Sequence, residues 1–162
     1  MGGDPGRSNY RIATGMSASR PQNRVPLSEL PANEAELVSE ARGVLARAYS
    51  PYSNVRVGAA LRTAAGVFVG CNVENASFGL TLCAERTAVV KAVSAGEQVF
   101  EVMAIATSLE AVLMPCGACR QVLAEFAPEL PLLVVGRETD YAIRTSLAEL
   151  LPGAFLPDDL RP

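Results

Sequence analysis
The chain has 162 residues, 49% hydrophobic and 19% charged, with no His, no Trp and four Cys. That apolar content closes one core and excludes global disorder, and no apolar run nears the ~20 residues of a membrane span. The absence of His excludes Ser-His-Asp triads, Cys-His dyads and His-based metal sites. Acid–base chemistry is left to Asp, Glu, Cys, Tyr, the single Lys91 or a metal-bound water.

Charge is unevenly spread: residues 1–32 carry a net +2 and residues 33–162 a net −5. A mildly acidic domain is a poor partner for a phosphate backbone, so a small ligand is expected rather than nucleic acid or membrane. Four cysteines are too few for a disulfide scaffold, and no apolar stretch follows Met1, which points to a reducing, cytoplasmic setting. Residues 1–32 hold four Gly, four Pro and four Ser without apolar periodicity and are expected to be a disordered tail. Their Arg/Ser-rich, acid-poor start also fits an organellar transit peptide.

The folded domain is expected over 33–162. Asn33 with Glu36 forms a capping-box pattern, and Leu37, Val38, Ala41, Val44, Leu45 and Ala48 follow at helical spacing up to Pro51. Residues 55–62 and 67–73 read as two strands of a hairpin, joined at 63–66, and 72–79 as a polar loop. An almost wholly apolar helix is expected over 82–95, ended by Gly96. A strand over 101–107, a helix over 116–126, a strand over 131–135, a short helix near 147–151 and an ordered Pro-rich end complete the chain. The order predicts a three-layer α/β fold.

Cys83, Cys116 and Cys119 carry the chemistry. Cys116-Gly-Ala-Cys119 opens one predicted helix, and Cys83 opens another with Glu85 two residues on. Helix starts offer unpaired N–H groups and a positive dipole end, which favour thiolates. Three soft sulfurs select Zn²⁺, and three protein ligands leave a position for a water that ionises near neutral pH. Glu85 is badly placed to join the ligand set but can reach the open position, so it is the candidate general acid/base. Three thiolates leave the site at −1, and Arg86 and Arg120 are the candidates to moderate their donation. Cys71 leaves a second reading open: a four-cysteine structural zinc module that binds a partner. Cys71 also fits a small buried hydrophobe.

Cys83-Ala84-Glu85 followed by Pro115-Cys116-Gly117-Ala118-Cys119 resembles the zinc signature of the nucleoside and nucleotide deaminases. With Tyr49-Ser-Pro-Tyr52-Ser53, Val57-Gly58-Ala59-Ala60, Gly70-Cys-Asn72-Val-Glu74-Asn75-Ala76 and Leu150-Leu151-Pro152-Gly-Ala-Phe155, the chain is similar to the small homotetrameric cytidine deaminases over about residues 33–160. The resemblance implies an α/β/α sandwich with a mixed central sheet and one Zn²⁺ per subunit. It implies hydrolysis of cytidine and 2′-deoxycytidine to uridine and 2′-deoxyuridine plus ammonia, in pyrimidine salvage. By position, Asn72 and Glu74 would hold the ribose hydroxyl, although both also suit turn formers. The Ala84 N–H would meet the pyrimidine carbonyl. Glu85 would protonate N3 and then the departing amine, while zinc-activated water attacks C4. Phe155 would reach a neighbouring subunit's base, making the site intersubunit; it also suits an ordinary core anchor. Val55 stands where the family commonly has a Phe, and Phe78 where a Tyr is common. Related deaminases acting on a cytosine antibiotic or a polynucleotide are the further alternatives.

Overall fold
The computed structural model describes residues 23–160. In chain order these form β1 (Asn23–Pro26), α1 (Ala32–Gly43), β2 (Val57–Thr63), β3 (Gly66–Cys71), α2 (Ala84–Ser94), β4 (Val102–Thr107), α3 (Gly117–Ala124), β5 (Pro131–Val135), β6 (Tyr141–Ser146) and α4 (Leu147–Leu150). The strands make one mixed sheet of order β1-β6-β5-β4-β2-β3. The β4–β5 pair is parallel, with α3 in the connection, and the other pairs are antiparallel.

Side chains of the central strands alternate between two cores, as the period of two requires. Ala59, Leu61, Met103, Ile105, Leu132 and Val134 face the core shared with α2, α3 and α4. Ala60, Ala104, Ala106, Leu133 and Val135 face the core shared with Leu37, Val38 and Ala41 of α1. These strands are buried on both faces, which makes them continuous apolar runs in the sequence. The result is the expected three-layer α/β/α arrangement with a mixed sheet.

One close approach fixes α2. Ala84, Ala88 and Ala92 recur at four-residue spacing on its buried face. They bring the helix backbone onto β3 at Gly70, where a Cβ would lie 2.4 Å from the Ala88 nitrogen and 2.5 Å from the Ala84 oxygen. Gly96, at φ +93, ends the helix as expected. The N-terminus of α2, with Cys83 in front of it, is therefore set by backbone-to-backbone contact with the sheet.

Three expectations are corrected. Residues 23–32 are not a tail. They form β1, a 3-10 turn at Leu27–Glu29 and the first residue of α1. The expected disorder of residues 1–22 lies outside the described residues. β1 has only one half-buried apolar side chain, Val25, so it carries no periodicity. Main-chain pairing to β6, the Leu27 N–H on the Asp140 carbonyl at 2.7 Å, and Arg24 stacked 4.5 Å over the Tyr141 ring hold it in place. β6 carries no strand signal in the sequence, since only Ala142 and Ile143 of its six residues are buried. Finally, α1 is not capped by Asn33 and Glu36: Pro31 is its N-cap, with no side-chain cap. The Asn33 carbonyl accepts from Arg62, and the Glu36 carboxylate pairs with the same guanidinium. A full capping box forms instead at Ser146 and Glu149, opening α4.

Gly70→Ala should lower stability by about 1–3 kcal/mol, since the added methyl meets backbone rather than a flexible side chain. It should also lower the bound zinc per chain by displacing the start of α2. Urea unfolding and metal analysis measure both, and wild-type values for both would contradict this packing.

Candidate active site and metal centre
Two helix starts converge beyond one end of the sheet. Cys83 is the N-cap of α2 and Cys116 the N-cap of α3; both backbones are extended there, and neither cap has a side-chain hydrogen bond. The first N–H groups of each helix therefore point at the cysteines with no side-chain oxygen competing. Cys119 lies one turn into α3 and is fully buried. The three Sγ atoms lie within 4.8 Å of one another, with Cys83–Cys116 at 3.9 Å and Cys116–Cys119 at 3.5 Å.

This spacing fits zinc. Three sulfurs at ~2.3 Å from one ion and at tetrahedral angles stand ~3.8 Å apart. All four cysteines are free thiols in the structure. Cys71 is outside the cluster; its Sγ points to the Arg47 carbonyl at 3.4 Å. The four-cysteine module is thus not the arrangement of the described residues.

The local electrostatics favour thiolate at Cys83. The Cys119 side chain hydrogen-bonds to Cys83 and, with the Arg86 guanidinium, brings the Cys83 thiol down to about 5. The same shared hydrogen bond, and burial, keep the proton on Cys119 when no metal is present. Arg86 Nη2 lies 3.7 Å from the Cys83 sulfur and 2.9 Å from the Thr81 carbonyl, within reach of the cluster. Arg120 does not reach it. Its Nε donates to the Pro115 carbonyl and its Nη1 to the Leu150 carbonyl, both at 2.8 Å. Adjacency to Cys119 in sequence placed it near the cluster, but the helical turn aims it at carbonyls.

Glu85 is 4% exposed in the first turn of α2. Burial holds its carboxyl above the ordinary carboxylate range, and the Cys83 thiolate adds to this. It lines a cavity of about 220 Å³ together with Ala84, Cys83 and Cys116. Most of the remaining wall is apolar, from Val55, Val57, Ile105, Leu113 and Met114. Ala84 opens α2, so its N–H has no helical acceptor. Ser53 and Thr81 are shared with an adjoining cavity lined by Tyr52, Glu74 and Phe78.

The expected ribose pair is brought to these cavities, and both members also hold backbone. Asn72 is buried; its Oδ1 accepts from the Val57 N–H at 2.8 Å and its Nδ2 donates to the Val55 carbonyl at 2.9 Å. Glu74 accepts from the Tyr52 N–H at 2.8 Å and from the Ser53 N–H and hydroxyl. These bonds, the Ser53 hydroxyl first, keep its carboxyl below the usual range and ionised. Phe155 lines neither of these cavities and is 58% exposed, its carbonyl held by Gln121 Nε2 at 2.6 Å. Phe78 is exposed and stacks edge-on against Tyr52. Sequence reasoning gave Thr81, Leu113 and Met114 no role. The position of Leu113 and Met114 just before Pro115-Cys116 was the available signal.

Residues 31–134 match the family described as the cytidine and deoxycytidylate deaminase zinc-binding region. The cytidine deaminase of Sporosarcina psychrophila is 44% identical over 127 residues, covering 77% of this chain and 93% of that one. The chain belongs to this deaminase family. Among solved structures, the Burkholderia pseudomallei cytidine deaminase superposes with a TM-score of 0.71 at 44% identity, over 78% of this chain and 100% of that one. The Mycobacterium tuberculosis cytidine deaminase gives 0.65 at 41% identity, over 77% and 98%. The converging helix starts and the cysteine cluster thus sit in a zinc-binding deaminase fold.

Cys71→Ala should leave one zinc per chain and full turnover, because Cys71 packs away from the cluster. Atomic absorption and a deamination assay check this, and loss of stoichiometric zinc would restore the four-cysteine reading.

Proposed function
We propose that the chain is a zinc enzyme that hydrolyses the 4-amino group of free cytidine and 2′-deoxycytidine, giving uridine and 2′-deoxyuridine plus ammonia. The observation that carries this is a buried carboxyl, Glu85, in the same cavity wall as three sulfurs spaced for zinc. Zinc held by Cys83, Cys116 and Cys119 would supply a water acidified to near-neutral pKa.

The chain's own residues do the rest. Glu85, raised in pKa by burial, holds a proton for the pyrimidine N3 and passes one to the departing amine. The Ala84 N–H meets the pyrimidine carbonyl, and the aliphatic walls grip the two faces of the ring. Val55 gives dispersion contact without aromatic stacking. Asn72 Nδ2 carries a second hydrogen and Glu74 Oε1, which accepts only from the Ser53 hydroxyl, a second lone pair, enough to bind a ribose hydroxyl while keeping their backbone contacts.

Charge argues for the nucleoside over the nucleotide. No Lys or Arg lines either cavity among the described residues, and both cavities contain a carboxylate side chain. A 5′-phosphate would meet like charge with no guanidinium to pair it. Polynucleotide substrates are disfavoured on the same ground.

The reading includes a homotetramer with intersubunit sites. What supports it is an exposed apolar patch beside the cavities: Tyr49, Tyr52, Val73, Phe78, Leu80 and Leu82. Backbone bridges join Tyr49, Val73 and Leu82, and Tyr52 touches Phe78. Patches of this kind mark protein interfaces, and exposed Phe155 is available to a neighbour. No helix among the described residues is long and apolar enough to cross a membrane. Closely spaced thiols need a reducing compartment, which favours the cytoplasm.

Glu85→Gln should keep zinc and lose about 10²–10⁴ in kcat; wild-type turnover would refute the proton role. In parallel assays cytidine and 2′-deoxycytidine should turn over far faster than CMP or a cytosine antibiotic. Rapid CMP turnover with little cytidine turnover would refute the nucleoside assignment.

A further inference from the structure
Two consecutive residues of α3, Arg120 and Gln121, both reach out of the helix to the C-terminal segment. The Arg120 side chain holds the backbone just before Cys116, and the main chain of the same residue holds it just after, through a regular helical bond. The Arg120 N–H donates to the Cys116 carbonyl at 3.0 Å, and its Nε donates to the Pro115 carbonyl at 2.8 Å. Those two carbonyls belong to the peptide planes that flank the Cys116 Cα, so together they set the direction of its side chain. The other end of the guanidinium is fixed by Nη1 on the Leu150 carbonyl, thirty residues away in sequence. Gln121 Nε2 then holds the Phe155 carbonyl at 2.6 Å.

We propose that Arg120 is a positioning residue that makes the C-terminal segment part of the metal-holding frame, with the Leu150 carbonyl as its anchor and Gln121 as a second tie. The role depends on fork geometry and not on charge. Cys116 is the exposed member of the cluster, while Cys119 is buried in α3 and Cys83 is held by α2. It is therefore the sulfur with the fewest packing contacts to keep it in place. Arg120 donates to two carbonyls in a rigid planar arrangement that an ammonium cannot reproduce. Pro115 is buried, so a lost donor leaves its carbonyl without a partner from water. The same brace fixes the carbonyl of Phe155, so the start and end of the segment from Leu150 to Phe155 are registered on the helix that carries two of the three cysteines.

The proposal rests on Cys83, Cys116 and Cys119 being zinc ligands, and the test separates the two. Purified full-length chain is loaded with zinc, and zinc release to a chromophoric chelator is followed for wild type, Arg120→Lys, Arg120→Gln and Gln121→Met. A wild type that binds no zinc would overturn the metal reading itself. With zinc bound, both Arg120 variants should release it at least ten-fold faster than wild type, with altered visible bands when Co²⁺ replaces zinc. Rescue of the wild-type rate and spectrum by Arg120→Lys would overturn the proposal, because lysine keeps the charge and loses the fork. Gln121→Met, at a half-buried position, decides the matter if the Arg120 variants do not fold. Release several-fold faster than wild type supports the brace, and an unchanged rate overturns it.

Discussion
Three sulfurs held within 4.8 Å of one another are the constraint on which the rest of the structure depends. As thiolates they repel strongly in a half-buried setting, and only a dication with surrounding donors makes the cluster favourable. The fold supplies those donors from backbone. Two helix N-termini are aimed at one point, each with a cysteine in the cap position where a Ser or Asp would otherwise satisfy the free N–H groups. Holding two helix ends in register needs a rigid base. The doubly buried β4 and β5, and the contact of α2 with β3 at Gly70, provide it.

The substrate cavity is a consequence of the same arrangement. Because Ala84 and Glu85 directly follow Cys83, the helix that places this cysteine also places both of them in the cavity wall. The lead-in to β2 is pinned by Asn72 through both ends of its amide, and the Tyr52–Ser53 turn by Glu74. These two side chains therefore shape the cavity mouth as well as face it. Substitution at either position changes the cavity lining and the backbone hydrogen bonds together. Arg86 and Arg120 look equivalent in sequence, each following a motif residue, yet one reaches sulfur and the other reaches carbonyls.

What the sequence revealed follows from where information is local. The helix starts at Cys83 and Cys116, the stop at Gly96 and the hairpin through Thr63–Gly66 are set by residue type within a few positions, and each is found within two residues of its expected place. The doubly buried strands were legible as apolar runs. β1 and β6 were not, because their pairing is made by main chain between short, half-polar segments far apart in sequence. The pattern at Asn33 and Glu36 misled because the helix already starts at Ala32 behind Pro31, which puts Asn33 inside the first turn rather than at the cap, and the Glu36 carboxylate pairs with the distant Arg62. For the site, the clustering of Cys83, Cys116 and Cys119 and the place of Glu85 beside them were legible from spacing and the absence of His. The split between Arg86 and Arg120 was not, since it depends on which way a helix turn faces. The aliphatic walls from Leu113 and Met114 were missed because apolar residues in a loop carry no pattern.

A three-sulfur zinc site with its fourth position open beside Glu85 can be read by X-ray absorption at the zinc edge of the purified chain. The expected spectrum is one zinc per chain with three sulfurs at ~2.3 Å and one lighter oxygen ligand at ~2.0 Å. Four sulfur ligands, or a chain that takes up no zinc, would contradict it.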